Sequence, residues 1–289
     1  MQTGAGLLGN FFLLYHFTIT LLTGNRLRPI DAIFSHLALA NFIVLTSKGV
    51  PQTMVSLGLK FLLDRVGCRI IIFLHRVSRS LSVNITCLLS GFQITSISSN
   101  SSSLWSKLKT YTSKYIFHFC LCCWILHILI NMYMLVDMKS LIENHNNTRR
   151  WNLGFCSDFS SASFEVSLYI IVYCIPDFMC IGFMVMTSAY LVLFLQRHHQ
   201  QVQHIHSFIQ SKRRSPAIRA TCTILVLVST YVVFFTINSI VSFYLFHFEE
   251  YHQWLMPTTT LLVACFPAIS PFVLISGDSQ ILHFFYSLW

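Results

Sequence analysis

Seven stretches of about twenty or more predominantly apolar residues, at 4–23, 32–58, 67–95, 115–136, 165–195, 220–246 and 254–275, constrain what this chain can fold into. A helix rising ~1.5 Å per residue needs about 20 apolar residues to cross the hydrocarbon core of a bilayer. Inside that core no water satisfies the backbone, so an apolar stretch of this length closes its own hydrogen bonds as an α-helix. The expected fold is an all-α membrane protein, a seven-transmembrane helix bundle forming a single domain over 1–289. Charged residues make up only 10% of the chain, against about 25% in soluble domains, too few to cover a water-facing exterior. The third and fifth stretches are the least uniform, because Arg76 and Arg79 interrupt one and Pro176 and Asp177 the other.

Orientation follows from the basic residues, which stay on the cytoplasmic side of short connections. The odd-numbered connections carry Arg26, Arg28, Lys107, Lys109, Lys114, Arg197, Lys212, Arg213, Arg214 and Arg219; the even ones carry Lys60, Arg65, Lys139, Arg149 and Arg150. The N-terminus is therefore expected outside, with the first span acting as signal anchor. The formal net charge of +9 reads as this asymmetry and as attraction to anionic lipid, not as nucleic-acid binding.

Eight of the ten cysteines, at 87, 120, 122, 123, 174, 180, 222 and 265, fall inside apolar runs and read as small packing side chains; no metal site is expected from them. Cys68, at the outer end of the third span, and Cys156, in the long second outer connection, both face the oxidising side, where disulfides persist. A Cys68–Cys156 bridge is expected to staple that connection over the bundle. Of three Asn-x-Ser/Thr sequons, Asn84 lies within the membrane and Asn100 on the cytoplasmic side, which leaves Asn146 as the glycosylation candidate.

Charged side chains inside a span cost free energy and mark ligand sites or internal pairs. At ~1.5 Å per residue, Lys48, Arg76, Arg79 and Asp177 lie between roughly 14 and 18 Å from the outer ends of their spans, at one depth. His75, Arg76 and Arg79 share one side of the third span. Together the five form a candidate site for a small, partly apolar ligand with a polar or anionic group, or an ion pair that only fixes helix register. The histidines at 198, 199, 204 and 206 sit beside Arg197 and the Lys212, Arg213, Arg214 cluster. Positive charge there disfavours a metal and favours contact with lipid head groups or a cytosolic partner. No HExxH, GxSxG or phosphate-binding loop is present, and ten acidic residues leave little for hydrolysis, so neither enzymatic activity nor a cofactor is expected. A transporter or channel is the alternative of a different class, but the prolines at 176, 267 and 271 do not fall in matching places of two halves.

The ordered segments GNFFLLYHF (9–17), HLALANFIVLTSKGVPQT (36–53), FLHRVSRSLSVNITCLLSGFQ (73–93), CWILHILIN (123–131), RHHQQVQHIH (197–206), SPAIRATCTILVLVSTYVVF (215–234) and CFPAISPFVLIS (265–276) resemble the vomeronasal type-1 receptors, divergent rhodopsin-like G-protein-coupled receptors of pheromone detection. Bitter-taste receptors share the topology and match less well. The resemblance covers nearly the whole chain and implies a multi-pass plasma-membrane receptor for a small pheromone-like molecule. It also implies an inhibitory-type heterotrimeric G protein as partner, facing Arg197, Lys212, Arg213, Arg214 and Arg219, and agrees with the Cys68–Cys156 bridge and the Asn146 glycan. Ser99, where the family pattern has Pro, Ala217, where it has an acidic residue, and an apolar segment after Asp278 depart from that pattern. They keep a non-signalling relic as an alternative.

Overall fold

A computed structural model of the chain describes residues 1–24, 27–58, 65–98, 103–142, 149–152, 157–160, 175–205, 216–247 and 255–287. The helices are α1 (Gln2–Leu22), α2 (Pro29–Val44), α3 (Val50–Ser56), α4 (Arg65–Ser98), α5 (Ser103–Ile142), α6 (Ile175–Ile205), α7 (Pro216–His247), α8 (Leu255–Gly277) and α9 (Ser279–Ser287). A π-helical turn over Leu45–Gly49 joins α2 to α3. Among the described residues, seven helices are long and apolar enough to cross a membrane: α1, the α2–α3 unit, α4, α5, α6, α7 and α8. The expected seven-span bundle is the fold. In the connection between α5 and α6, β1 (Arg149–Asn152) and β2 (Ser157–Ser160) pair antiparallel, with Arg149 opposite Ser160.

The fourth span, α5, starts at Ser103, ahead of the apolar stretch at 115, because a helix continues past the hydrocarbon boundary wherever lysines can reach water. Of the fifth stretch, 165–174 lies outside the described residues. Both α5 and α6 expose large apolar side chains, among them Ile125, Leu126, Phe178, Met179 and Met186. In lipid that outer surface replaces the polar face of a soluble helix, so apolar periodicity alone does not tell inside from outside here.

Three local devices position the interior. Pro51 clashes with the helical carbonyl four residues back and lacks an N–H; the chain answers with the π-turn at Leu45–Gly49, which carries Lys48. Pro271, inside α8, cannot donate to the carbonyl of Pro267, and that carbonyl instead accepts a 2.8 Å hydrogen bond from Asn10 Nδ2 of α1. The glycines of α1 make the approach possible: a Cβ at Gly9 would lie 2.8 Å from the Pro271 ring, and one at Gly6 only 2.7 Å from the Ala268 Cα. A buried chain then crosses the bundle. Asn41 Nδ2 donates to Ser270 Oγ at 2.8 Å, and Ser82 Oγ donates to Asn41 Oδ1 at 2.8 Å, tying α2, α4 and α8 where no water competes.

At the end of the bundle carrying the α1–α2 connection, Arg28 binds Asp31 through Nε (2.9 Å) and Nη2 (2.7 Å). Its Nη2 also donates to Asp278 Oδ2 at 2.6 Å, across 250 residues. Hydrogen bonding to Asp31 foremost, then the charge of both carboxylates, raises the Arg28 pKa above its ordinary value. Asp278 also accepts from Gln280 N at 2.8 Å and so caps α9. That helix lies against α1, with Phe284 4.6 Å from His16 and Phe285 5.2 Å from Phe12 between ring centroids.

Candidate functional site

The third span supplies the centre of the site. His75, Arg76 and Arg79 follow one another along α4 at helical spacing, and the π-turn swings Lys48 toward them from the second span. Lys48, Arg79 and Arg76 all lie within electrostatic reach of His75, and the His75 Nδ1 is buried without a hydrogen-bond partner. From the fifth span, Asp177 brings a carboxylate whose Oδ2 stands 3.4 Å from Arg79 Nη1. The Asp177 side chain is 6% exposed and that of Arg79 25%, so this pair is shielded from water and its two charges depend on each other. The Arg79 guanidinium also stands over the Phe235 ring, 5.4 Å from its centroid, an orientation in which the ring face attracts the cation.

The structure thus gathers all five candidate ligand residues in one region. Among the described residues, Lys48, Arg76 and Arg79 converge there with the Asp177 carboxylate. Both readings open at the sequence level have a physical basis here: Arg79 and Asp177 are an internal ion pair, and Lys48 and Arg76 stand beside it.

Next to Arg79 the helices leave a small cavity of about 40 Å³, lined by Val44, Arg79, Ser82, Tyr231, Phe234, Phe235, Asn238, Leu262, Val263, Phe266 and Pro267. Its wall is aromatic. Tyr231 meets Phe266 edge-on at 4.6 Å and stacks on Phe235 at 6.1 Å between centroids. Sequence reasoning missed this α7–α8 wall, since Tyr231, Phe234, Phe235 and Asn238 all count as part of one apolar run. A signal was nevertheless present: they recur at helical spacing, and Asn238 carries the only amide side chain of the 220–246 run.

The remaining candidates lie elsewhere. Arg197 is exposed near the far end of α6. Arg219 lies at the opposite end of α7 from Asn238, and its Nη2 donates to the carbonyl of Ser276 at 2.7 Å, which links α7 to the end of α8. Lys212, Arg213 and Arg214 lie outside the described residues, as do Asn146 and Cys156. Cys68 is buried and disulfide-bonded. The thiols at 87, 120, 122, 123, 180, 222 and 265 are free, and Cys174 is outside the described residues. Asn84, the sequon assigned to the membrane interior, bonds His127 Nε2 of α5 through Nδ2 at 2.8 Å. Among the described residues no group of three His, Cys, Asp or Glu side chains is arranged to hold a metal ion.

Comparison with known proteins accounts for nearly the whole chain. The family model of the vomeronasal organ pheromone receptors matches residues 1–287. Human vomeronasal type-1 receptor 1 is 43% identical over 284 residues, 98% of this chain and 80% of the relative. Human vomeronasal type-1 receptor 3 is 43% identical over 281 residues, covering 97% and 89%. The zebrafish (Danio rerio) olfactory receptor class A-like protein 1 is 31% identical over 285 residues, covering 97% and 88%.

Proposed function

Because the chain belongs to the vomeronasal organ pheromone receptor family, we propose that it binds a small pheromone-like ligand between its helices and passes the signal to an inhibitory-type heterotrimeric G protein. It is a multi-pass chemosensory receptor of the cell surface and not an enzyme. In this proposal the N-terminus is outside and the bundle end bearing Arg28, Arg197 and Arg219 faces the cytoplasm, with Lys212, Arg213 and Arg214 joining them toward the G protein. The carrying observation is the convergence of Lys48, His75, Arg76 and Arg79 with Asp177 beside an aromatic-walled cavity. A largely apolar molecule bearing a polar or anionic group complements such a place. Ligand binding then shifts an existing equilibrium between bundle packings.

The test is cell-surface expression with a G-protein activation screen of small volatile and sulfated compounds. Lys48→Gln and Arg76→Gln, and Arg79→Lys, which retains the charge on Asp177, are expected to raise the half-maximal concentration of an active compound roughly 10- to 100-fold, the worth of one charge-assisted hydrogen bond. Surface expression should fall by less. A response that drops only in step with expression would reduce the cluster to helix register, and a wild-type chain absent from the surface would favour a non-signalling relic.

On the outer side, a Cys68–Cys156 bridge holding the second outer connection and a glycan on Asn146 belong to the same proposal. Peptide mapping without reductant should return the 68–156 linked peptide. An endoglycosidase mobility shift should disappear in Asn146→Gln; unlinked Cys156, or a shift that persists, would remove the corresponding feature.

A further inference from the structure

The cavity beside Arg79 contains hydrogen-bonding capacity that the protein leaves unused, and its position is informative. Asn238 lies seven residues beyond Tyr231 on α7, about 10 Å along the helix axis and on the same side, so the two mark opposite ends of the aromatic wall. Its Oδ1 is enclosed and has no hydrogen-bond partner. Of the other polar side chains of the lining, Ser82 Oγ donates to Asn41, and Arg79 faces Asp177 and the Phe235 ring. An enclosed acceptor without a donor opposes folding. In a transmembrane helix such a residue marks a place where something else completes it.

We propose that Asn238 Oδ1 accepts a hydrogen bond from a ligand hydroxyl, so that the cavity selects an apolar molecule carrying a hydroxyl over the same molecule without that donor. The inference rests on reading this cavity as the ligand site and adds to the cationic cluster a second, electrically neutral recognition point. The aromatic side chains between Asn238 and Tyr231 take the hydrocarbon body. A void of about 40 Å³ holds little more than a few waters, so ligand entry displaces water and turns aromatic side chains aside. Discrimination then has a physical source: a ligand without the donor removes water from the Asn238 oxygen and puts nothing in its place.

The experiment uses the full-length receptor in lipid nanodiscs, wild type and Asn238→Leu, with matched probes: menthol against menthyl methyl ether, and borneol against bornyl methyl ether. Thermal stabilisation by each probe is read alongside G-protein activation in cells. On the wild type each alcohol is expected to act at roughly tenfold lower concentration than its ether, and in Asn238→Leu the ratio should fall to about twofold or less. Without any probe, Asn238→Leu should melt about 2 °C or more above the wild type, because an apolar side chain of similar size replaces an unsatisfied acceptor. Equal potency of alcohol and ether on the wild type, a ratio that persists in the variant, a variant that melts lower, or failure of every probe to bind would each overturn the proposal. Lys48→Gln and Arg76→Gln are run in parallel. These two are also read with menthyl sulfate: if its potency is unchanged in them while Asn238→Leu abolishes the alcohol preference, the cationic reading fails and the hydroxyl reading stands; the reverse pattern separates them the other way.

Discussion

Asp177→Ala is expected to cost the receptor about 3–5 kcal/mol of stability, the usual penalty for removing one partner of a buried ion pair. The Arg79 guanidinium would keep its charge, lose the carboxylate 3.4 Å away, and remain beside Lys48 and Arg76 in a region with little water. Partial exposure of Arg79, 25%, places the effect toward the lower end of that range. Differential scanning fluorimetry in detergent and surface labelling of intact cells would both report it. The double variant Arg79→Met with Asp177→Val should recover most of the stability, since apolar side chains of about the same combined volume replace a buried pair at little net cost, while the ligand response stays lost. A single variant that melts like the wild type would show that water reaches the pair and that it does not hold α4 to α6.

A side chain at Gly277 should produce the second large effect. A Cβ there would fall onto the Thr223 side chain, with even the Thr223 Cβ only 2.6 Å away, so no rotamer of Thr223 relieves the overlap. Thr223 is itself held, its Oγ1 donating to the Arg219 carbonyl at 3.0 Å, and Arg219 reaches Ser276. Gly277→Val therefore wedges α7 away from the end of α8, at an expected cost of about 1–3 kcal/mol. If α7 swings outward when the G protein engages, the same substitution should also raise signalling in the absence of ligand. Adding Thr223→Ala, which removes Oγ1 and Cγ2 but keeps the Cβ 2.6 Å away, should return only part of the melting temperature. An unchanged melting temperature in Gly277→Val would mean that the two helix ends already part freely.

The seven spans were legible because bilayer thickness sets a length that apolar runs either meet or fail to meet. The charged residues at one depth were legible too, as exceptions in those runs. Which charges pair was not, because neither Asp177 nor Arg79 encodes the rotation of its helix about its own axis, and both faces of α6 are apolar. The π-turn that presents Lys48 follows from Pro51, yet a proline in a span does not say whether the chain kinks, widens or breaks. The aromatic wall and Asn238 were hidden for a related reason: hydropathy over a whole span averages the side facing lipid with the side facing the cavity. The contact of Arg28 with Asp278 joins residues 250 apart, and the apolar segment after Asp278 reads as an irregular tail until α1 is placed beside it.

That last contact bears on how the molecule is made. The α9 helix emerges from the ribosome after all seven spans, yet it covers Phe12 and His16 in the first of them. From the insertion of α1 until α9 follows, the side of those aromatic rings that α9 covers has only lipid or another protein against it. A chaperone or retention factor that recognises that patch would lose its grip only when α9 docks, so in this receptor the report that every span has been made and the report that the spans have packed can be one event.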